Sequence, residues 1–203
     1  MRKIIASEFI TLDGVIQAPG GPEEDEESKF TEGGWSFGYW DDVIGEAMAK
    51  ETSSPFETLL GRKTYEIFAA HWPNVDPEED PGADIYNKAK KYVISQTLKE
   101  VTWQNSELIS GDIEKRLIDL KEQDGPDLVV TGSSKLIQTL LKLDLIDEFK
   151  LKIYPVVVGH GKRLFGDGTI PVGLKLVKSA ISDSGVIIAT YDRAGEIKKG
   201  SFA

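Results

Sequence analysis

The chain has 203 residues, 34 acidic and 24 basic side chains, a net charge of −10 and no cysteine. That length buries a real core within one domain. The acidic balance argues against a nucleic-acid backbone as partner, since no basic stripe is present to release its counterions. The missing cysteines exclude disulfides, thiol catalysis and Cys-ligated metal. The opening MRKIIASEFITLDG has apolar runs too short for a signal peptide or a membrane span. The expectation is a soluble cytoplasmic protein with no membrane partner.

KIIASEFI, residues 3–10, reads as a buried first strand ending at the Asp13-Gly14 turn signal. Residues 17–38, rich in Gly, Pro and acids, form a long loop whose Trp35 and Phe37 predict a flap. The run EEDEE within it reads as a solvated acidic stretch. YWDDVIGEAMAKE has helical spacing, with Trp40, Ile44, Ala47 and Met48 sharing a face and Asp41 or Asp42 at its start.

FETLLG reads as a short strand running straight into the helix RKTYEIFAAHW, which Pro73 stops. After a second acidic loop and a short helix come the strand KYVISQT and two further strand candidates, VTWQN and ELIS. GDIEKRLIDLKEQ is a helix with Asp112 near its cap. PDLVVTGSSKLIQTLLKLDLID then repeats strand, glycine turn and helix. EFKLKIYPVVVG reads as one long strand, and LKLVKSAISD and GVIIATYD as a hairpin across Ser184-Gly185. Strands alternating with helices predict a mostly parallel α/β sheet, to which the terminal hairpin adds antiparallel strands. Ligands of such sheets sit outside the carboxyl ends of the strands.

Three of those ends carry candidate chemistry. In LLGRKT, Gly61 breaks the strand and Arg62, Lys63 and Thr64 open a helix. Free N–H groups there favour anions, Arg62 offers a fork matched to phosphate, and cations at a helix start oppose its dipole by a few tenths of a kcal/mol. In LVVTGSS the strand ends at Thr131, and Gly132, Ser133 and Ser134 suit a diphosphate or, equally, an ordinary capped helix. Ser95, Gln96 and Thr97 close the strand between them with hydroxyl and amide groups suited to a ribose or its phosphate, or to a plain turn.

The order of LDG, GRKTYEIF, VISQTL and TGSSKLIQTLL along nearly the whole chain resembles the dihydrofolate-reductase-like fold. The resemblance is strongest to the C-terminal reductase domain of the bifunctional riboflavin-biosynthesis deaminase-reductase. It implies a three-layer α/β architecture in one domain, with helices on both faces of the sheet. It also implies NADPH as cofactor. Arg62 matches the residue that approaches the 2′-phosphate, and Lys63 and Thr64 match positions facing the phosphates. Ser95 and Gln96 lie beside the adenosine ribose phosphate, with Thr97 next to them. Gly132, Ser133 and Ser134 lie under the pyrophosphate. Gln96 stands where many relatives carry arginine, so NADH is not excluded. Residues 11–14 correspond to the start of a mobile loop along the nicotinamide, which makes Asp13 the candidate proton-handling carboxylate and Gly14 a point of close backbone approach.

Trp40, Tyr154, Lys162 and Arg163 are candidate substrate contacts, the last two by analogy with a segment near a phosphorylated ribose. No metal site is expected. The expected function is an NADPH-dependent reductase of a small heterocycle or a ribosylamino-pyrimidine, acting without a deaminase half. The rival readings are a dihydrofolate reductase and a non-catalytic NADP-binding sensor. Folate is disfavoured because the possible counterparts of its carboxylate on the first long helix, Asp41 and Asp42, stand where ordinary caps stand. A homodimer is expected by resemblance.

Overall fold

A computed structural model describes residues 1–202. Eight strands form one sheet in the order β4-β3-β2-β5-β1-β6-β8-β7. They are β1 (Ile4–Thr11), β2 (Phe56–Gly61), β3 (Lys91–Ile94), β4 (Ser106–Ile109), β5 (Asp127–Val130), β6 (Glu148–Tyr154), β7 (Leu174–Ile181) and β8 (Ile187–Arg193). The first six pair in parallel; β8 runs antiparallel to β6, and β7 antiparallel to β8. The five α-helices are α1 (Asp42–Glu51), α2 (Arg62–His71), α3 (Gly82–Lys88), α4 (Ile113–Glu122) and α5 (Ser134–Lys142). The mostly parallel sheet with its antiparallel terminal hairpin is the architecture the sequence predicts.

Alternation along each strand sends side chains to both faces, which explains the near-continuous apolar runs. Ile4, Ala6 and Ile10 of β1 join Leu128 and Val130 of β5 beneath the Leu136, Ile137, Leu140 and Leu141 stripe of α5 and the Leu117 and Leu120 ridge of α4. Phe9 faces the other way, towards Ile44 and Met48 of α1 and the buried Tyr154. On that same face Leu60, Val93 and Trp103 pack with Tyr65 and Phe68 of α2 and Tyr86 of α3.

Several local expectations change. VTWQN is not a strand: the N–H groups of Thr102 and Trp103 donate to the Tyr65 hydroxyl at 2.8 and 3.0 Å rather than to a neighbouring strand. The β6 strand stops at Tyr154, ahead of Pro155, which has no N–H to donate. Helix α1 starts at Asp42, with Asp41 as its cap, so Trp40 lies outside it and is 59 % exposed. In the long loop, Phe37 is 87 % exposed, whereas the Trp35 indole donates to the Gln17 carbonyl at 2.8 Å and packs edge-on against Tyr154. Neither forms a flap.

Candidate functional site

The strands β3, β2 and β5 are neighbours, so the turns leaving their carboxyl ends meet at one place. There they bound a cavity of about 1350 Å³. Small-molecule sites run roughly 300–1,000 Å³, so this cavity has room for a dinucleotide and a second ligand. Gly61 ends β2 so close to the β5 turn that a Cβ on it would lie 1.9 Å from Ser133 Oγ. Gly132 and Ser133 follow one another in the left-handed region, at φ 68° and 67°. Such a conformation costs a non-glycine residue about 1–2 kcal/mol, so the turn is held against a local penalty at Ser133.

Helices α2 and α5 both begin at this cavity, and neither has a side chain capping its first turn. By contrast, Asp41 caps α1 through the Ile44 N–H at 3.0 Å, and Asp112 caps α4 through the Lys115 N–H at 3.1 Å. Thus two helix starts leave their N–H groups open on a shared space, the arrangement that attracts phosphate. The serine cap that the sequence equally allowed on α5 is not made.

The expected cofactor residues Gly61, Arg62, Lys63, Thr64, Ser95, Gln96, Thr131, Gly132, Ser133 and Ser134 all line this cavity. Arg62 pairs with Glu66 one turn on at 3.0 Å, while Lys63 has no ion-pair partner among the described residues. Ser95 Oγ accepts the N–H groups of Thr97 and Leu98 at 3.1 and 3.0 Å, so it shapes its own turn. Thr97 gives that N–H, sets its hydroxyl 3.4 Å from Ser95 Oγ, and does not reach the wall. The Gln96 side-chain amide donates to the Gly111 carbonyl at 2.6 Å, bridging two loops at the cavity rim.

Asp13 and Gly14, expected along the nicotinamide, lie off the cavity wall. The Asp13 carboxylate accepts from the Thr11 hydroxyl at 2.6 Å and from the N–H groups of Gly159 and Val158 at 2.8 and 3.3 Å. Desolvation pushes its pKa up, but these hydrogen bonds outweigh it and hold the carboxyl below its ordinary value. The Arg163 guanidinium bonds the Asp13 carbonyl, and Gly14 O accepts the Leu164 N–H at 2.9 Å. Residues 11–14 are therefore clamped to the segment after β6, and Arg163 is part of the clamp rather than of the cavity wall. Tyr154 is fully buried among Phe9, Trp35 and Tyr39 and also lies off the wall.

Trp40 and Lys162 do line the cavity, but Lys162 is taken. Its ammonium binds Asp25 at 2.5 Å and Glu27 at 2.8 Å. Lys162 and Lys135 hold the Glu27 carboxyl down to about 2. The acidic run 23–27, read from sequence as merely solvated, is in fact the cover of the cavity, with Lys162 as its fastening. Opposite it, Phe68, Trp72 and Tyr86 form an aromatic wall, the last two stacked at 4.8 Å between centroids. The buried Trp72 indole N–H has no partner.

One wall residue escaped the sequence reading altogether. Glu8, in the middle of β1, is 3 % exposed yet lines the cavity. One carboxyl oxygen accepts the Gly132 N–H at 2.8 Å; the other has no hydrogen-bond partner among the described residues. Burial pushes its pKa up to about 8, against the lesser opposing effects of the Gly132 bond and the charge of Lys152. Lys152 itself turns to the other face of the sheet, bonding Glu51 and Ser7 at 2.7 and 2.8 Å. The available signal was a carboxylate at position 8 inside a strand too apolar to be solvated.

Among the described residues, no cluster of His, Asp or Glu is arranged to hold a metal ion, and no helix is long and apolar enough to cross a membrane.

Comparison with known proteins agrees with this architecture. The family model of the RibD C-terminal domain matches residues 2–188. The Bacillus subtilis protein YyaP is 33 % identical over 193 residues, covering 94 % of each chain, and YwjB of the same organism is 26 % identical over 179 residues, covering 86 % of this chain and 89 % of its own. The protein named 'Putative riboflavin biosynthesis protein' of Shewanella sp. PV-4 superposes with a TM-score of 0.70 at 22 % identity, over 94 % of this chain and 98 % of its own. Dihydrofolate reductase of Enterococcus faecalis, solved with NADP(H), superposes at 0.58 and 15 % identity, over 95 % of this chain and 96 % of its own.

Proposed function

The chain belongs to the RibD C-terminal domain family, and from that premise we propose that it is an NADPH-dependent reductase of a small planar heterocycle. The observation that carries this reading is the meeting of two uncapped helix starts, α2 and α5, with the β3 turn around one cavity. The residues there suit a phosphorylated dinucleotide: open N–H groups and Lys63 for the phosphates, Arg62 for a 2′-phosphate, and a Gly61–Ser133 contact that leaves no room for a side chain. The cofactor, when bound, supplies the hydride; the protein binds it, orients it and excludes water.

For the substrate, the aromatic wall of Phe68, Trp72 and Tyr86 favours a flat ring. The ribosylamino-pyrimidine phosphate of the riboflavin pathway remains the family's own candidate. Lys162, the cation that would have met its phosphate, is already bound by Asp25 and Glu27, which favours an unphosphorylated ring. Folate is the less favoured alternative, since Asp41 caps α1 and also accepts the Ser184 N–H at 2.9 Å. We further propose a homodimer formed through the edge strand β7, whose Leu176, Val177 and Ile181 are 50–72 % exposed. Light scattering on wild type and Leu176→Lys tests it.

Fluorescence titration with NADPH and NADH, with Arg62→Ala beside the wild type, tests the cofactor. The expected result is NADPH binding that weakens about 10-fold or more in the variant, for the loss of a charge-assisted phosphate contact, with little change for NADH. Oxidation of NADPH in the presence of heterocyclic acceptors then separates a reductase from a sensor, which would bind without turnover. No binding of either nucleotide would refute the proposal.

A further inference from the structure

The Gly132–Ser133–Ser134 turn has two occupants to accommodate. Its Gly132 N–H is given to the buried Glu8 carboxyl, while the following N–H groups open α5 without a cap. A dinucleotide phosphate drawn to those free groups would bring negative charge alongside Glu8. Two anions at one turn repel, and the group that yields is the one already starved of solvent. Among the described residues Glu8 has no salt bridge and one hydrogen-bonded partner, an N–H, and its second oxygen is left for another atom in the cavity.

Resting on the reductase reading, we propose that Glu8 is the acid of this site: it holds its proton, the more firmly once the dinucleotide docks on the Gly132 turn, and gives that proton to the substrate. The balance is simple. Hydride from the nicotinamide adds to the carbon of a C=N or C=O group, the π pair moves to the heteroatom, and the Glu8 O–H bond breaks as a new N–H or O–H bond forms. The carboxylate left behind regains its proton from water when product leaves and fresh dinucleotide binds. The raised proton affinity that burial gives Glu8 fits an acid working near neutral pH.

The other charged groups around it do not duplicate this role. Lys152 of β6 is committed to Glu51 of α1 on the opposite face, and Lys162 and Lys135 are paired with the cover. Burial, with the charge of Glu51 adding to it, pushes the Tyr86 hydroxyl of α3 up to about 12. Lys63 and Arg62 stand at the start of α2 on the cavity wall. All of these persist in Glu8→Gln, an isostere that keeps an acceptor for the Gly132 N–H, so the comparison isolates Glu8.

The deciding measurement is calorimetry of NADPH binding at pH 8 in two buffers of different ionisation enthalpy, on wild type and Glu8→Gln. The nucleotide's phosphates are already fully ionised at that pH. The wild type is expected to take up about half a proton per NADPH bound, and the variant none, with both binding NADPH at pH 6.5 within about threefold, as expected for a neutral carboxyl and its amide. Equal uptake in the two proteins overturns the inference and leaves the reductase reading standing; no NADPH binding by the wild type overturns the reductase reading itself. For the transfer step, turnover of 9,10-phenanthrenequinone and of 7,8-dihydrobiopterin is measured from pH 6 to 9. The variant should lose about 100-fold in kcat, the usual worth of a positioned acid, and lose the alkaline fall seen in the wild type. An unchanged kcat in Glu8→Gln, or a wild type that binds NADPH and reduces neither probe, overturns the donor role.

Discussion

Replacing Glu8 by Gln should make the protein more stable, and increasingly so as pH rises. The folded state moves the Glu8 pKa from 4.5 to about 8, so between those values the folded chain holds a proton that the unfolded chain has lost. Stability therefore falls as pH climbs through that window, by about 1.4 kcal/mol per pH unit. From pH 5 to pH 8 that amounts to about 4 kcal/mol, and above pH 8 the cost is constant. Glutamine carries no such proton, and titrations of Lys152 and Lys91, being present in both proteins, largely cancel in the difference. For a domain of this size about 4 kcal/mol is worth roughly 10 °C in Tm. Thermal unfolding by circular dichroism, at unit steps from pH 5 to 9, should show the variant's advantage widening by that amount. Parallel curves would mean that Glu8 is ionised at neutral pH in the folded protein, and the account of its environment would be wrong.

Gly61→Ala should cost about 1–3 kcal/mol in urea unfolding, because its Cβ would sit 1.9 Å from Ser133 Oγ and the packed turns must separate; an unchanged midpoint would show that they yield freely. Asp13→Asn should lower stability by about 1–2 kcal/mol, the usual cost of spoiling hydrogen bonds to a carboxylate. Because its folded pKa is depressed, the wild type's advantage over this variant should be present at neutral pH and vanish as pH falls through the acid range. Lys162→Met should speed amide exchange across residues 23–29 about fivefold or more, the factor for losing roughly 1 kcal/mol of local restraint. Exchange at the wild-type rate would show that the cover is held by other contacts, such as Glu24 on the Gly20 and Gly21 N–H groups.

The order of strands and helices was legible because each buried strand and amphipathic helix carries its own period, as in the Leu136, Ile137, Leu140 and Leu141 stripe of α5. The meeting of positions 62, 96 and 132 at one cavity follows from parallel neighbours sharing a carboxyl end. What failed depended on partners distant in sequence. VTWQN has strand-forming residues, but Tyr65 takes its N–H groups. The composition of residues 23–27 is that of a solvated loop, and only Lys162, more than a hundred residues on, turns it into a cover. Asp13 looked chemical in a turn beside the presumed reaction site, yet its acceptors are consumed by Val158 and Gly159. Glu8 was hidden inside a strand whose other residues read as core.

The bare helix starts of α2 and α5 also bear on how long the protein survives. A receptor whose amide dipoles await an anion is incomplete until one arrives, and saturation at 100 times Kd would add about 2.7 kcal/mol to its resistance to unfolding. Its lifetime among proteases would then rise and fall with the supply of that anion.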